Sequence, residues 1–134
     1  MSQIEKLREF IDISVKSKSN HKFFEIEIPS DTCIKIEKIL GINLNSYRFV
    51  IKEEYIRHVK NRHPNDMDLL LELPNIINNF SKVEKSIIKN TQTGKPEVNL
   101  VFYKIVNCDK IEMVAIRIFK KKILSLKTVY RKEL

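Results

Sequence analysis

Two histidines and three basic side chains occur within nine residues, in the string YIRHVKNRH at positions 55–63. A histidine titrates near neutral pH, and adjacent Arg and Lys side chains can hold a phosphate while their charge lowers the histidine pKa. Cleavage of RNA without a metal needs a base for the ribose 2′-OH proton, an acid for the leaving oxygen, and cations for the phosphorane oxygens. His58 and His63 are therefore predicted catalytic residues, and Arg62 is a predicted phosphate ligand. The alternatives are a core or helix-capping role for His63, which precedes Pro64, and an ordinary surface position for His58.

A zinc site is not predicted here, although two histidines close in sequence often suggest one. Zinc-binding histidines on one helix face are four residues apart, whereas His58 and His63 are five apart and would diverge by about 140°. No Cys or carboxylate lies at a suitable local offset, and the cationic neighbours would repel a metal. We therefore expect neither a metal nor another cofactor.

A second candidate region is the last apolar run, ILSLKTVYR at positions 123–131. Alternation along a strand places Thr128 and Tyr130 on one face, and Lys127, a candidate phosphate ligand, on the other with Arg131. Ordinary strand positions for the Thr and the Tyr are the alternative, since both residue types favour strands.

The turn before this run decides which face carries the hydroxyls. A three-residue turn at 120–122 would set Thr128 opposite Val114 and Tyr130 opposite Glu112, and would continue the face of Leu124 and Leu126. A turn one residue longer would expose the hydroxyls beside Arg117, another candidate phosphate ligand. Lys104, which interrupts an apolar stripe, is a candidate of the same kind, and Tyr103 is either a base-stacking or a core residue.

The charge balance favours a polyanionic partner. The chain has 25 Lys and Arg against 17 Asp and Glu, a formal charge of +8, and such a field attracts nucleic acid. Residues 101–134 carry nine of the basic side chains and three of the acidic ones, so the excess is concentrated there. Lysine used only for solubility is the alternative.

Hydrophobic periodicity predicts an α+β fold. Helical spacing appears at 3–16, 31–40, 53–63 and 66–80, the last divided by Pro74. Two short strand-like runs, FFEIEI and YRFVIK, lie among these helices, and four longer ones follow: VEKSIIKN, EVNLVFYKIV, IEMVAIRIF and ILSLKTVYR. We expect N-terminal helices packed on one face of a C-terminal four-stranded antiparallel meander sheet, with the other face open to a ligand. At 134 residues, 1–134 is expected to form a single domain.

Cysteine usage and the N-terminal segment bear on the compartment. Cys33 and Cys108 are isolated, which favours neither a disulfide scaffold nor a zinc knuckle and fits a reducing compartment. The opening MSQIEKLREF alternates charged and apolar residues, so neither a signal peptide nor a membrane span is predicted. A protein that acts in a cytoplasm, with no membrane partner, is the expectation.

The order of these motifs resembles the phage-type branch of the barnase, EndoU, colicin and RelE-like nuclease superfamily. In that branch a strand leads into a helix with an H-[IV]-x-x-[RK]-H type motif, followed by an "ip.ii" segment and a terminal sheet that ends in T-x-Y. The matching positions are His58, Arg62 and His63, then Pro74 to Ile77, then Thr128 and Tyr130. The resemblance covers roughly residues 36–131.

This resemblance implies a metal-independent ribonuclease, of a kind deployed as a toxin or phage effector against transfer RNA or other cellular RNA, with a cognate immunity or antitoxin protein. It implies acid/base roles for His58 and His63, and positioning of the phosphate by Thr128 and Tyr130. It also implies phosphate binding by Arg62, with Lys104 and Arg117 as further candidates. The alternative is a noncatalytic basic module that binds nucleic acid. A protein-binding inhibitor is disfavoured, because mimicry of nucleic acid calls for an acidic surface.

Overall fold

A computed structural model describes residues 2–132. Its helices are α1 (Gln3–Lys16), α2 (Ser30–Leu40), α3 (Glu53–Arg62) and α4 (Leu73–Asn79), with a 3₁₀ segment (Pro64–Glu72) between the last two. Its strands are β1 (Phe23–Glu27), β2 (Arg48–Lys52), β3 (Lys82–Lys89), β4 (Pro96–Val106), β5 (Asp109–Ile118) and β6 (Ile123–Lys132). The α+β class is confirmed.

The sheet has six strands in the order β1-β2-β6-β5-β4-β3, so the predicted four-stranded antiparallel sheet is wrong in strand number and in pairing. The four C-terminal strands do form an antiparallel meander. The two short N-terminal strands extend it, because β2 pairs with β6 in parallel and β1 pairs with β2 antiparallel. Phe49, Val50 and Ile51 of β2 are all buried, as expected for a strand that is paired on both edges.

The helices cover one face of the sheet. Their apolar side chains meet those of the strands in one core cluster, whose fully buried members include Leu7, Ile36, Ile56, Leu70 and Phe102. Thr32 of α2 donates a hydrogen bond to the Ile77 carbonyl of α4 at 2.9 Å, which joins two helices of this layer. The result is a helix layer on one side and a largely uncovered sheet face on the other.

Helix α3 follows β2 without a loop, and its start and end are set by sequence. Glu53 and Glu54 occupy the first turn, where negative charge suits the helix dipole. The amide of His63 still donates to the Val59 carbonyl at 2.7 Å, and Pro64 then starts the 3₁₀ segment. Pro74 lies in the first turn of α4, where its missing N–H is harmless. The two prolines thus separate three short helices.

Strand β6 contains a bulge that changes the face on which its side chains lie. Residues 119–122 form the turn, so Arg117 pairs with Leu124, in contrast to both predicted registers. A register shift then restores the predicted pairs Val114 with Thr128 and Glu112 with Tyr130. Leu124 and Leu126 face the helix layer, and Thr128 and Tyr130 face the opposite side. The expectation that all four share one face was wrong.

The cysteines and the length of the helices bear on the predictions about compartment and membrane. Cys33 is buried and Cys108 exposed, and both are free thiols. Across residues 2–132, no helix has the length and apolar character needed to cross a membrane.

Candidate functional site

The uncovered side of the sheet, which we call the open face, is defined by Tyr103, Glu112, Thr128 and Tyr130. These side chains share a face because Tyr103 pairs with Glu112 and Glu112 with Tyr130, while Thr128 precedes Tyr130 by two positions. His63, at the C-terminal end of α3, stacks on Tyr130 with ring centroids 4.9 Å apart and planes 18° apart. The end of the histidine helix and the hydroxyl-bearing final strand therefore meet on the open face.

A buried carboxylate anchors the tyrosine side of this stack. Glu112 is only 6% exposed, and it accepts a hydrogen bond from the Tyr130 hydroxyl. The Lys132 ammonium lies 3.7 Å from its other oxygen. Because Tyr130 is held at its hydroxyl, its ring presents a fixed surface to His63.

A second carboxylate pairs with the neighbouring tyrosine. The Tyr103 hydroxyl donates to Glu84 at 3.1 Å. Burial, followed by the hydrogen bonds and charge of Glu84 and Glu112, raises the pKa of Tyr103 to about 12. Tyr103 is therefore a protonated hydrogen-bond donor at neutral pH and does not act as a base.

His58 is in the environment expected of a proton acceptor. Its side chain is exposed on α3, yet partial desolvation, then the positive charge of Arg62 and the proximity of His63, lower its pKa below the ordinary 6.5. The imidazole is therefore neutral at pH 7. His58 and Arg62 are one helical turn apart, so one side chain can bind an anion beside the other.

The first turn of α3 also reaches the open face. Burial, then the negative charges of Glu54 and Glu97, raise the pKa of Tyr55. Glu97 belongs to β4 and faces the same side as Tyr103. The Lys127 ammonium lies 3.4 Å from a Glu97 oxygen, so Lys127 is on the open face and not opposite Thr128 as alternation predicted. The bulge in β6 is the reason for this difference.

Three buried polar groups on this side form no hydrogen bond within residues 2–132: Asn99 Oδ1, Ser125 Oγ and Thr128 Oγ1. Buried oxygens of this kind are normally paired, with water if not with protein. These three oxygens can therefore still accept hydrogen bonds, and they lie beneath the surface that His63 and Tyr130 form. Thr128 is thus on the predicted face, with its hydroxyl oxygen shielded from solvent.

Two predicted phosphate ligands lie away from this cluster. The Lys104 ammonium donates to the Asn79 carbonyl of α4 at 2.9 Å, on the helix side of the sheet. Arg117 donates to the Tyr47 hydroxyl at 3.2 Å near the β5–β6 turn. The structure therefore brings His63, Lys127, Thr128 and Tyr130 together on the open face. His58 and Arg62 lie next to His63 on α3, and Lys104 and Arg117 lie outside the cluster.

Sequence reasoning missed several members of the open face. Glu112 was noted only as the register partner of Tyr130, although a Glu inside the apolar run IEMVAIRIF is itself a signal of a functional or paired carboxylate. Asn99, a polar residue in another apolar run, gave a similar signal. Tyr55 and Glu97 carried none, because their proximity depends on how α3 lies against the sheet.

Across residues 2–132, no group of three or more His, Cys, Asp or Glu side chains is arranged as metal ligands.

Comparisons with known proteins agree with the geometry at the level of family. Residues 30–134 match the model of a family described as phage-Barnase-EndoU-ColicinE5/D-RelE like nuclease3. The matched range starts at α2 and includes α3 and all of β2 to β6, so it contains every residue of the open face. Helix α1 and strand β1 precede it. Searches among curated proteins and among solved structures found no match.

Proposed function

Because the chain belongs to the phage-Barnase-EndoU-ColicinE5/D-RelE like nuclease family, we propose that it is a metal-independent RNA endonuclease that uses histidine acid/base catalysis. One observation carries the proposal: His63 stacks on Tyr130 at 4.9 Å, which joins the histidine helix to the final strand on the open face. The resemblance in sequence and the surplus of basic residues support RNA as the substrate.

In the proposed reaction the neutral His58 imidazole takes the proton of a ribose 2′-OH. The O2′–P bond forms, the P–O5′ bond breaks, and the product is a 2′,3′-cyclic phosphate. His63 donates a proton to the leaving O5′, so that each histidine ends in the protonation state with which the other began. RNA alone offers the internal nucleophile that this reaction requires.

The remaining residues bind and position the phosphate in this proposal. Arg62 lies one helical turn from His58 and stabilises negative charge on the nonbridging oxygens. Lys127 contributes its charge from β6, and the Thr128 hydroxyl, which is buried and unpaired in the free protein, turns outward to position the phosphate. Tyr130, held by Glu112, fixes the plane of the His63 ring.

For the biological setting we propose what the family resemblance implies: a toxin or phage effector that cleaves transfer RNA or another cellular RNA, accompanied by a cognate immunity or antitoxin protein. Lys110, Lys127 and Lys132 on the open face suit both a nucleic acid and an acidic inhibitor that mimics one.

The shielded Thr128 Oγ1 favours a second candidate function, noncatalytic binding of nucleic acid. In this alternative the histidines are structural and the basic residues grip phosphates.

One comparison separates the two candidates. Purified protein is incubated with total RNA in EDTA, and the new ends are analysed for cyclic phosphate. We expect cleavage by the wild type, and loss of cleavage with retained RNA affinity in His58→Ala and His63→Ala. His21→Ala is the matched control, because His21 is exposed and lies between α1 and β1. Intact RNA at high wild-type concentration, or equal loss in the control, would contradict the endonuclease.

A further inference from the structure

The turn between β5 and β6 exposes an aromatic ring beside three consecutive lysines. Phe119 is 69% exposed, the highest fraction among the large exposed apolar side chains of residues 2–132. Lys120, Lys121 and Lys122 follow it and are exposed as well. The exposed ring offers a flat apolar surface on which a planar group can stack.

The ring is held from one side by a cation. The Arg117 guanidinium carbon lies 5.1 Å from the Phe119 ring centroid, and Arg117 is itself fixed by its hydrogen bond to Tyr47 at 3.2 Å. This contact restricts Phe119 and leaves most of its surface free. Phe119 is therefore an oriented platform with a positive charge at its side.

Beside this platform, an apolar groove crosses the ends of β4 and β5. Its lining residues are Pro96, Glu97, Val98, Ile116, Arg117, Ile118, Phe119, Lys120 and Lys121. Ile118 lies six residues along β5 from Glu112, a distance of about 20 Å at the usual rise of a strand. Ile116 and Ile118 face the same side of the sheet as Glu112, so the β5 side of the groove is continuous with the open face, several nucleotides from the candidate catalytic cluster.

Charge at this end of the sheet is positive. The β3–β4 turn lies at the same end as the β5–β6 turn, since both hairpins start from strands that run in the same direction. It adds Lys89 and Lys95, while the nearby Glu97 is already paired with Lys127 and Asn90. A polyanion with flat apolar groups fits this surface better than a protein or a neutral ligand does.

We propose that Phe119 and the lysines at 120–122 form a subsite for single-stranded RNA that flanks the cleavage position, in which one base stacks on Phe119 and the lysines bind adjacent phosphates. The binding of RNA at this subsite does not depend on the proposed endonuclease activity. Only the statement that the subsite flanks a cleavage position rests on that proposed function. Stacking on an exposed aromatic is the common way to hold an unpaired base, and it tolerates any sequence.

The test is the affinity for a fluorescein-labelled, 2′-O-methyl RNA 12-mer of mixed sequence, measured by fluorescence anisotropy. The 2′-O-methyl groups remove the nucleophile, so binding is read separately from cleavage. Phe119→Ala should weaken binding by at least about 5-fold, the effect of losing one base–aromatic stack. Phe119→Tyr should restore wild-type affinity because the ring is kept.

Ile13→Ala is the matched control, because Ile13 is also an exposed apolar residue (49%) and lies on α1 in the helix layer. It should bind the 12-mer as the wild type does. Unchanged binding by Phe119→Ala, or an equal loss in Ile13→Ala, overturns the subsite. Wild-type protein that ignores RNA but binds vesicles with anionic lipid would also overturn it. Absence of any RNA cleavage would contradict the proposed endonuclease and leave the subsite standing if Phe119→Ala still weakens binding.

Discussion

His58 is the titratable residue whose environment bears most directly on the proposed chemistry. Desolvation and the charge of Arg62 keep its pKa below 6.5, so its neutral form is favoured in the folded protein. By linkage, the stability that goes with the neutral imidazole is present above about pH 6.5 and is lost as pH falls through the folded pKa. The same depressed pKa makes His58 a base that is available at neutral pH and sets the lower pH limit of activity.

We predict that kcat/KM for RNA cleavage rises with pH through a midpoint below 6.5, and that Arg62→Gln moves the His58 pKa upward. The shift follows from removal of a nearby positive charge. NMR titration of the histidine resonances, assigned with His58→Asn, measures it directly in the free protein. Lys60→Gln is the control, since Lys60 lies on another side of α3. An unmoved His58 pKa in Arg62→Gln would contradict the electrostatic coupling.

The contact between Tyr130 and Glu112 gives a second prediction for single residues. Tyr130→Phe keeps the ring that stacks on His63 but leaves the buried Glu112 carboxylate without its hydroxyl donor. An unpaired buried acceptor costs about 1–3 kcal/mol of unfolding free energy. We expect that loss in urea denaturation, together with a lower kcat because the His63 ring is less well fixed.

Tyr47→Phe is the matched substitution, because it removes the hydroxyl of another enclosed tyrosine ring, one that accepts a hydrogen bond from Arg117 outside the candidate cluster. Its kcat should stay near that of the wild type. If both variants lost activity equally, the Glu112–Tyr130–His63 contact would have no special role in positioning the imidazole.

At the scale of elements, α3 is fixed from two sides. Strand β2 continues directly into this helix, and Arg57 of α3 forms hydrogen bonds with the end of α1 and with the loop that follows α1. The Arg57 guanidinium donates to the Ser14 carbonyl at 3.2 Å, to the Ser19 carbonyl at 2.7 Å and to the Asn20 side chain. These contacts come from residues that precede the family match at 30–134. The N-terminal segment therefore positions the helix that carries both candidate histidines.

We predict that Arg57→Ala lowers the free energy of unfolding by about 2 kcal/mol, because charged hydrogen bonds to two carbonyls are lost. Chemical denaturation with urea measures this change. Arg48→Ala is the control: Arg48 makes an exposed ion pair with Glu25 at 3.4 Å, and such pairs contribute less than about 1 kcal/mol. Equal losses of unfolding free energy in the two variants would contradict a structural role for the Arg57 hydrogen bonds.

Periodicity was sufficient to predict the elements but not how all of them pair. Each helix and strand depends on local spacing, and the predicted positions agree with the structure to within a few residues. The parallel pair of β2 with β6 joins segments more than seventy residues apart, and no local pattern encodes it. The continuous apolar run Phe49 to Ile51 is typical of an interior strand, but it does not name the strand's partners. The bulge in β6 was equally hidden, since it depends on the packing of Leu126 and Val129 against the helix layer.

The same limit applied to the candidate site. His58, Arg62 and His63 were recognisable from residue type and spacing, and Thr128 and Tyr130 from the resemblance. Glu112 and Asn99 interrupt apolar runs, which is a signal of a paired polar group, but only the register shows that they lie on the open face. Lys104 and Arg117 carried the right charge, but their positions depend on contacts with Asn79 and Tyr47 that the sequence does not show.

For the whole molecule, the division into a helix layer and an open face predicts where charge matters for RNA binding. Each phosphate that a basic side chain neutralises lowers the slope of log K against log salt by about 0.7 for a single strand. Arg62→Ala, on the open-face side of α3, should therefore make that slope shallower by about 0.7. Lys38→Ala should not, because Lys38 is exposed on α2 in the helix layer, although both substitutions remove one positive charge.

Titrations of the uncleavable 12-mer at several salt concentrations measure the slopes. Equal slopes for the two variants would mean that RNA affinity depends on net charge alone. The open face would then not be the RNA-binding surface.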